Sequence, residues 1–328
     1  MDPLGDPPAR SGMTRRSQRE AFPVPPERTP PPGRPPTAPD MPSRRSRREE
    51  AGSDIEDHGR AGRSLPAAIG VGALLGVVAI ASLLFRKEIF VALVSIAIVL
   101  AAWELCTALG LRGISVPIFP LAVGSVGMLV SAFVAGGDGL LVSFSLTAFG
   151  LLLWRLLEGL QDALRDVAAS IFAAAYLPFL AGFAILMLSQ DDGAFRVLTF
   201  LTVAVASDVG GYIAGVLIGQ HPLAKSVSPK KTWEGLAGSV LACLLVAIPM
   251  VQRLLHGSLA AGIALGVAIA ITATIGDLAE SMLKRDLGIK DMSSLLPGHG
   301  GVLDRIDGML LAAPVAYLLL AALVPVTT

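Results

Sequence analysis

Charge is the first thing this sequence is short of: 16% of its residues are Asp, Glu, Lys or Arg, where a soluble domain carries about 25%. Together with 53% hydrophobic residues and a mean hydropathy of +0.67, that shortage excludes an ordinary water-soluble fold. Cysteine is nearly missing too. Cys106 and Cys243 both lie in apolar runs, where lone thiols read as small buried side chains. No disulfide framework and no thiol metal site can be built from them. A P-loop, a Cys/His zinc pattern and a Ser-His-Asp nucleophile set are also lacking. Formal net charge is zero, so the information lies in where the charges sit. No nucleic-acid partner is expected.

Apolar runs are abundant. A membrane-spanning helix needs about 20 mostly apolar residues, and the chain supplies about nine such runs: Pro66 to Phe85, Ile89 to Leu109, Val116 to Ala135, Leu140 to Leu157, Val167 to Leu188, Phe195 to Gly219, Gly235 to Val251, Leu259 to Gly276, and Gly308 to Val326. Gln161 to Asp166 is placed along the membrane surface. The expected fold is therefore an all-α polytopic integral membrane protein. Residues 1–64, rich in Pro, Arg and Ser, form a tail expected to be disordered, ahead of a transmembrane domain over 65–328 whose polar blocks concentrate over about 205–308. The cluster Arg44, Arg45, Arg47 and Arg48 favours leaving that tail in the cytoplasm.

The basic residues then divide by side. Arg112, Arg155, Arg165, Lys225, Lys230, Lys231, Lys284, Arg285, Lys290 and Arg305 fall in loops on the tail's side, and only Arg86, Lys87, Arg196 and Arg253 fall opposite. This asymmetry follows the positive-inside rule with an odd number of spans. It predicts a multi-pass protein of the plasma (inner) membrane with its polar loops facing the cytoplasm.

Four polar features carry chemistry. Asp208 sits within the sixth run, where an ionised carboxylate costs roughly 2.5–3.5 kcal/mol on insertion scales; a hydrogen bond to a neighbouring helix would explain it, but a metal or substrate contact is favoured. Gly211, Gly215 and Gly219 recur behind it every four residues, a smooth face for helix packing and a conceivable dimer contact. The next loop, HPLAKSVSPKKTWEG, reads as an N-cap at Ser228 with Pro229 in the first turn. Lys225, Lys230, Lys231 and the Thr232 hydroxyl surround it, either as an anion site or, for the three lysines, only as the charge that sets topology. Trp233 suits either an interfacial anchor or stacking on a base. If the eighth helix continues past Gly276, Asp277, Glu280, Ser281 and Lys284 share one face, with Glu280 either a ligand or the intrahelical partner of Lys284.

The last feature is SMLKRDLGIKDMSSLLPGHGGVLDRID, Ser281 to Asp307. Glycines flank His299, so backbone N–H groups can approach an anion there, and His299 suits a hydrogen-bonding turn or a phosphate contact equally. Asp304 and Asp307, three apart at a helix start, place both carboxylates on one side with Arg305 pointing elsewhere. Carboxylates, cations and glycine-rich backbone are the parts of phosphoryl or nucleotidyl transfer, where positioning and charge neutralisation do most of the catalysis. Oxygen ligands suit Mg²⁺, with a second cation possible.

This stretch resembles the signature of the phosphatidate cytidylyltransferases (CDP-diacylglycerol synthases), matched at Ser281, Lys284-Arg285, Lys290-Asp291, His299-Gly300-Gly301 and Asp304-Arg305-Ile306-Asp307. Ser228 to Gly235, SPKKTWEG, is a second block similar to that family. The resemblance implies that CTP and phosphatidate give CDP-diacylglycerol and pyrophosphate within a lipid bilayer. Under it, Asp277 and Asp304 are the principal metal ligands, supported by Asp208 and Asp307. Lys225, Lys230, Lys231, Lys284 and Arg285 hold phosphates, Ser228 and Thr232 add hydroxyl contacts, and Lys290, His299 and Arg305 complete the substrate set. Two rival readings are a CTP-dependent transferase acting on another membrane lipid phosphate or a polyprenol, and a transporter of an anionic solute.

Overall fold

The structure is a computed structural model that describes residues 76–159, 161–293, 295 and 300–325, all within one compact unit, Gly62–Thr328. The expectation for the tail over 1–64, and the one for His299, lie outside the described residues. The described chain is helical apart from one small hairpin: α1 Gly76–Phe85, α2 Lys87–Gly110, α3 Ile118–Glu158, α4 Ala163–Leu188, α5 Gly193–Ile218, β1 Pro222–Ala224, β2 Ser228–Thr232, α6 Trp233–Leu254, α7 Leu259–Leu287 and α8 Leu303–Leu323. Seven of the described helices, α2 to α8, are long and apolar enough to cross a membrane. The chain is a multi-pass membrane protein.

Helix α3 contains two of the expected spans. Its 41 residues are interrupted at Gly136, whose φ of 66° and ψ of −150° leave the helical region for one that residues with a Cβ avoid. The two arms fold back on each other there, so closely that a Cβ on Gly124 would run into the Thr147 side chain. The first expected run is described only from Gly76, as the short helix α1. Gln161 and Asp162 form a turn, and Ala163 to Asp166 open α4. Inside α4, Ala175 to Phe179 widen into a π-helical turn around Pro178, whose missing N–H breaks the ordinary ladder.

The last four helices pack through small residues. A Cβ on Gly238 of α6 would lie 2.7 Å from the Gly210 carbonyl of α5; one on Gly262 of α7, 2.9 Å from Ile248 Cα of α6; and one on Gly276 of α7, 2.9 Å from Gly308 Cα of α8. Backbones this close need glycine on the facing surface. The face bearing Gly211 is thereby used within the chain, since Ser239 lies 2.5 Å from where a Gly211 Cβ would be, and it is not a free dimer contact. Large apolar side chains cover the outside instead, among them Ile213, Val216 and Leu217 of α5 and Leu245 of α6, as a hydrocarbon surrounding requires.

Charged residues gather at the two ends of the bundle. At one end Arg112 donates to the Leu287 carbonyl at 3.2 Å and to that of Asp286, Arg165 donates to the Gly113 carbonyl at 2.5 Å, and Arg155 pairs with buried Asp166 at 3.0 Å. At the other, Lys87 reaches the Gln190 carbonyl. Arg196, expected in a loop, is instead fully buried in α5. It bonds Asp192 at 2.6 Å and the carbonyls of Leu320 and Val324 at 3.1 and 3.0 Å, closing the end of α8.

Candidate active site

The Ser228 expectation fails on local geometry. Ser228–Thr232 is a strand paired antiparallel with Pro222–Ala224, so Ser228 caps nothing. Helix α6 starts four residues later on Thr232, whose Oγ1 accepts from Gly235 N at 3.0 Å. Glu234 holds the approach: one carboxylate oxygen accepts from Gln220 N and His221 N, both at 3.2 Å, and the other lies 2.5 Å from His221 Nδ1. The hairpin is thus tied to the helix it precedes, and Lys230, Lys231 and Thr232 are carried over the ends of α5 and α7.

These residues border a cavity of about 470 Å³ among α5, β2, α6, α7 and α8. Of the expected site residues, Asp208, Lys230, Lys231, Thr232, Asp277, Lys284, Asp304, Arg305 and Asp307 all line it, with Glu280 and Ser281 beside them. Helix α7 does continue past Gly276, which brings Asp277, Glu280, Ser281 and Lys284 to that wall. Arg305 borders the same space as Asp304 and Asp307, so it does not point elsewhere. The remaining expectations are not in the lining. Lys225 is exposed in the hairpin turn, Ser228 lies in β2, Lys290 is exposed beyond α7, and Arg285 is exposed with its Nε 3.5 Å from the Val227 carbonyl.

Inside the cavity, acids and cations from separate elements meet in pairs. Lys231 of β2 forms an ion pair with Asp277 of α7. Lys284 bridges Glu280 at 2.5 Å, its intrahelical partner, and Asp304 of α8 at 2.8 Å. Asp304 also accepts from Gly301 N at 2.8 Å and Met292 N at 3.1 Å. Glu280 is almost wholly buried, and its Oε1 has no hydrogen-bond partner among the described atoms. Five carboxylates (Asp208, Asp277, Glu280, Asp304, Asp307) therefore border one space with four cations (Lys230, Lys231, Lys284, Arg305).

Sequence reasoning missed Glu104. It is fully buried in α2 and accepts from Val302 N at 2.9 Å and Leu303 N at 2.8 Å. The signal was present: it is the one charged residue between Ile89 and Leu109, and an ionisable group within a span demands a partner.

An all-oxygen donor set of this kind fits a hard cation such as Mg²⁺, which takes one or two carboxylates and completes its shell with water and substrate phosphates. The unpartnered Glu280 oxygen adds a further donor at the cavity wall. Among the described residues no three acidic, His or Cys side chains are grouped to hold an ion by themselves.

The profile of the Cytidylyltransferase family matches residues 66–323, which takes in α1 to α8 and the whole cavity. A phosphatidate cytidylyltransferase of Mycobacterium leprae is 42% identical over 281 residues, covering 80% of this chain and 90% of that protein. One from Mycobacterium tuberculosis is 38% identical over 279 residues, covering 80% and 84%. One from Helicobacter pylori is 45% identical over 151 residues, 44% of this chain and 56% of that protein. A membrane bundle whose paired lysines and aspartates fall within so long a match has one reading: the chain belongs to the cytidylyltransferase family and is a nucleotidyltransferase.

Proposed function

We propose that this protein transfers the cytidylyl group of CTP to phosphatidate, giving CDP-diacylglycerol and pyrophosphate, with Mg²⁺ as cofactor. The observation that carries this reading is the meeting of two sequence blocks in one cavity: Lys231 of the first pairs with Asp277, and Lys284 of the second pairs with Asp304. The relatives named phosphatidate cytidylyltransferase support the choice of both substrates.

In this mechanism a phosphate oxygen of the lipid attacks the α-phosphorus of CTP. The new bond joins that oxygen to the α-phosphorus, and the bond to the bridging oxygen of the β-phosphate breaks, releasing pyrophosphate. A phosphate monoester is already ionised near neutral pH, so no side chain has to remove a proton. Lys230, Lys231 and Arg305 hold triphosphate oxygens in line, and Lys284 balances the charge of Asp304 beside them. Asp277 and Asp304 would hold the Mg²⁺, with Asp208 and Asp307 in support; when bound, the ion neutralises charge on the triphosphate and the departing pyrophosphate. The cavity end of the bundle faces the cytoplasm of a cell bounded by this plasma membrane, where CTP is found, as the excess of Arg and Lys at that end supports.

The test is an assay of purified protein in lipid nanodiscs with α-labelled CTP, Mg²⁺ and phosphatidate. Label should enter the lipid phase with release of an equal amount of pyrophosphate, and chelation should stop it until Mg²⁺ is restored. Label entering a polyprenol or another lipid phosphate, but not phosphatidate, would replace the acceptor. Uptake of an anionic solute by proteoliposomes without CTP consumption would overturn the enzyme reading.

A further inference from the structure

Glu104 belongs to neither signature block, yet it reaches the backbone on which Asp304 is carried. Its carboxylate is fully enclosed, and a carboxylate cut off from water is costly unless other donors replace its hydration. Three do. Oε1 accepts from Val302 N at 2.9 Å and from the Ser293 hydroxyl at 2.5 Å, and Oε2 accepts from Leu303 N at 2.8 Å. All lie 189 or more positions away in the chain, so only the tertiary fold brings them together.

The turn they belong to is shared. Gly301 N donates to Asp304, and the next two amides donate to Glu104. A Cβ on Gly301 would lie 2.8 Å from Glu104 Oε2 and 2.9 Å from Asp304 Oδ2, which shows how closely both carboxylates press on this turn. Free amides at a helix start and the positive end of its dipole favour the arrangement electrostatically. Asp304 alone would anchor the turn to α8, to α7 through Lys284 and to the segment after α7 through Met292 N. Glu104 adds α2, fixing the turn against a third helix, while Ser293 ties in the polar segment that leads to it.

We infer that Glu104 is a positioning residue for the transfer reaction: it sets the first turn of α8 so that Asp304 stands opposite Lys284 in the cavity. Glu104 does not line that cavity, so it acts through the backbone of residues 302 and 303. The inference rests on the transferase reading proposed for the cavity.

The experiment uses full-length protein in nanodiscs with Glu104→Gln, Glu104→Asp and Glu104→Ala, measuring turnover with CTP and phosphatidate, the amount of folded protein, and amide hydrogen exchange. Glutamine keeps the shape but sets an NH₂ against a backbone N–H, so one of the two amide bonds is lost. Turnover per folded molecule should fall about 10- to 100-fold in Glu104→Gln, in line with groups that orient a site from behind, while KM for CTP stays within about threefold. Exchange in the peptide covering residues 301–304 should quicken about tenfold or more with α7 unchanged. Glu104→Asp should recover part of the turnover that Glu104→Ala lacks. Wild-type turnover and exchange in Glu104→Gln overturn the inference, as does a loss that follows only the amount of folded protein. Should the wild-type protein transfer nothing from CTP to phosphatidate, the functional reading fails by itself, and the exchange of residues 301–304 still decides whether Glu104 holds the turn.

Discussion

Lys231 and Asp277, 46 positions apart in the chain, form an ion pair within the cavity that both line. The pair joins the hairpin to α7, so each residue sets where the other stands. Lys231→Met and Asp277→Asn should each lower CTP-dependent turnover about 100-fold or more, the range for losing one group that stabilises transition-state charge. The double variant should be little worse than the poorer single one, because residues acting as a unit are not additive. A double-mutant cycle on kcat/KM measures this, and independent losses would show that the two do not act together.

Asp304→Asn should abolish transfer while leaving the protein inserted in the membrane. The amide keeps the shape of the side chain but removes the charge opposite Lys284. Product formation is read against the amount of protein in the membrane fraction; near-normal turnover would remove Asp304 from the reaction.

Thr232 and Ser258 make the same capping bond, at 3.0 and 3.1 Å, for α6 and α7. Replacing either with Ala should cost about 1 kcal/mol of stability, seen as similar falls in Tm. Only Thr232→Ala should also slow turnover, because only Thr232 borders the cavity.

Gly238→Val should destabilise by about 1–3 kcal/mol, the usual result of forcing carbon into filled space, since even a Cβ would lie 2.7 Å from the Gly210 carbonyl. Gly127→Ala is the control. Nothing lies within 4 Å of a Cβ there, so alanine should leave the unfolding temperature unchanged or raise it.

Arg196→Met should be the most damaging change away from the cavity. It takes the guanidinium from buried Asp192 and from two carbonyls at the end of α8, and breaking a buried pair costs about 3–5 kcal/mol. Because α8 holds Asp304 at its opposite end, about 30 Å away by helix rise, turnover per folded molecule should stay near that of the wild type. Thermal unfolding and turnover measured on the same sample separate the two effects.

Much of this protein was legible along the chain because its strongest constraint is local. A bilayer needs about 20 apolar residues per span, so the runs from Ile89 to Leu109 and Leu259 to Gly276 announced α2 and α7, and the gap between Ala135 and Leu140 separated two spans that the structure joins in one helix interrupted at Gly136. Periodicity likewise placed Asp277, Glu280 and Lys284 on one face of α7. Ser228 was misread for an equally local reason: Ser-Pro is a good helix start, but pairing with Pro222–Ala224 satisfied that backbone as a strand.

By itself, then, the sequence determined the apolar spans, the polar blocks between them and the family to which they belong. Tertiary structure alone decided which acid meets which cation, that Arg305 shares the cavity while Arg285 and Lys290 do not, and that Glu104 reaches the turn before Asp304. The reason is physical. Spacing within one helix orients a side chain relative to its own axis, but its partner depends on how closely neighbouring helices approach, and here contacts at Gly210, Gly238, Gly262 and Gly276 set that approach.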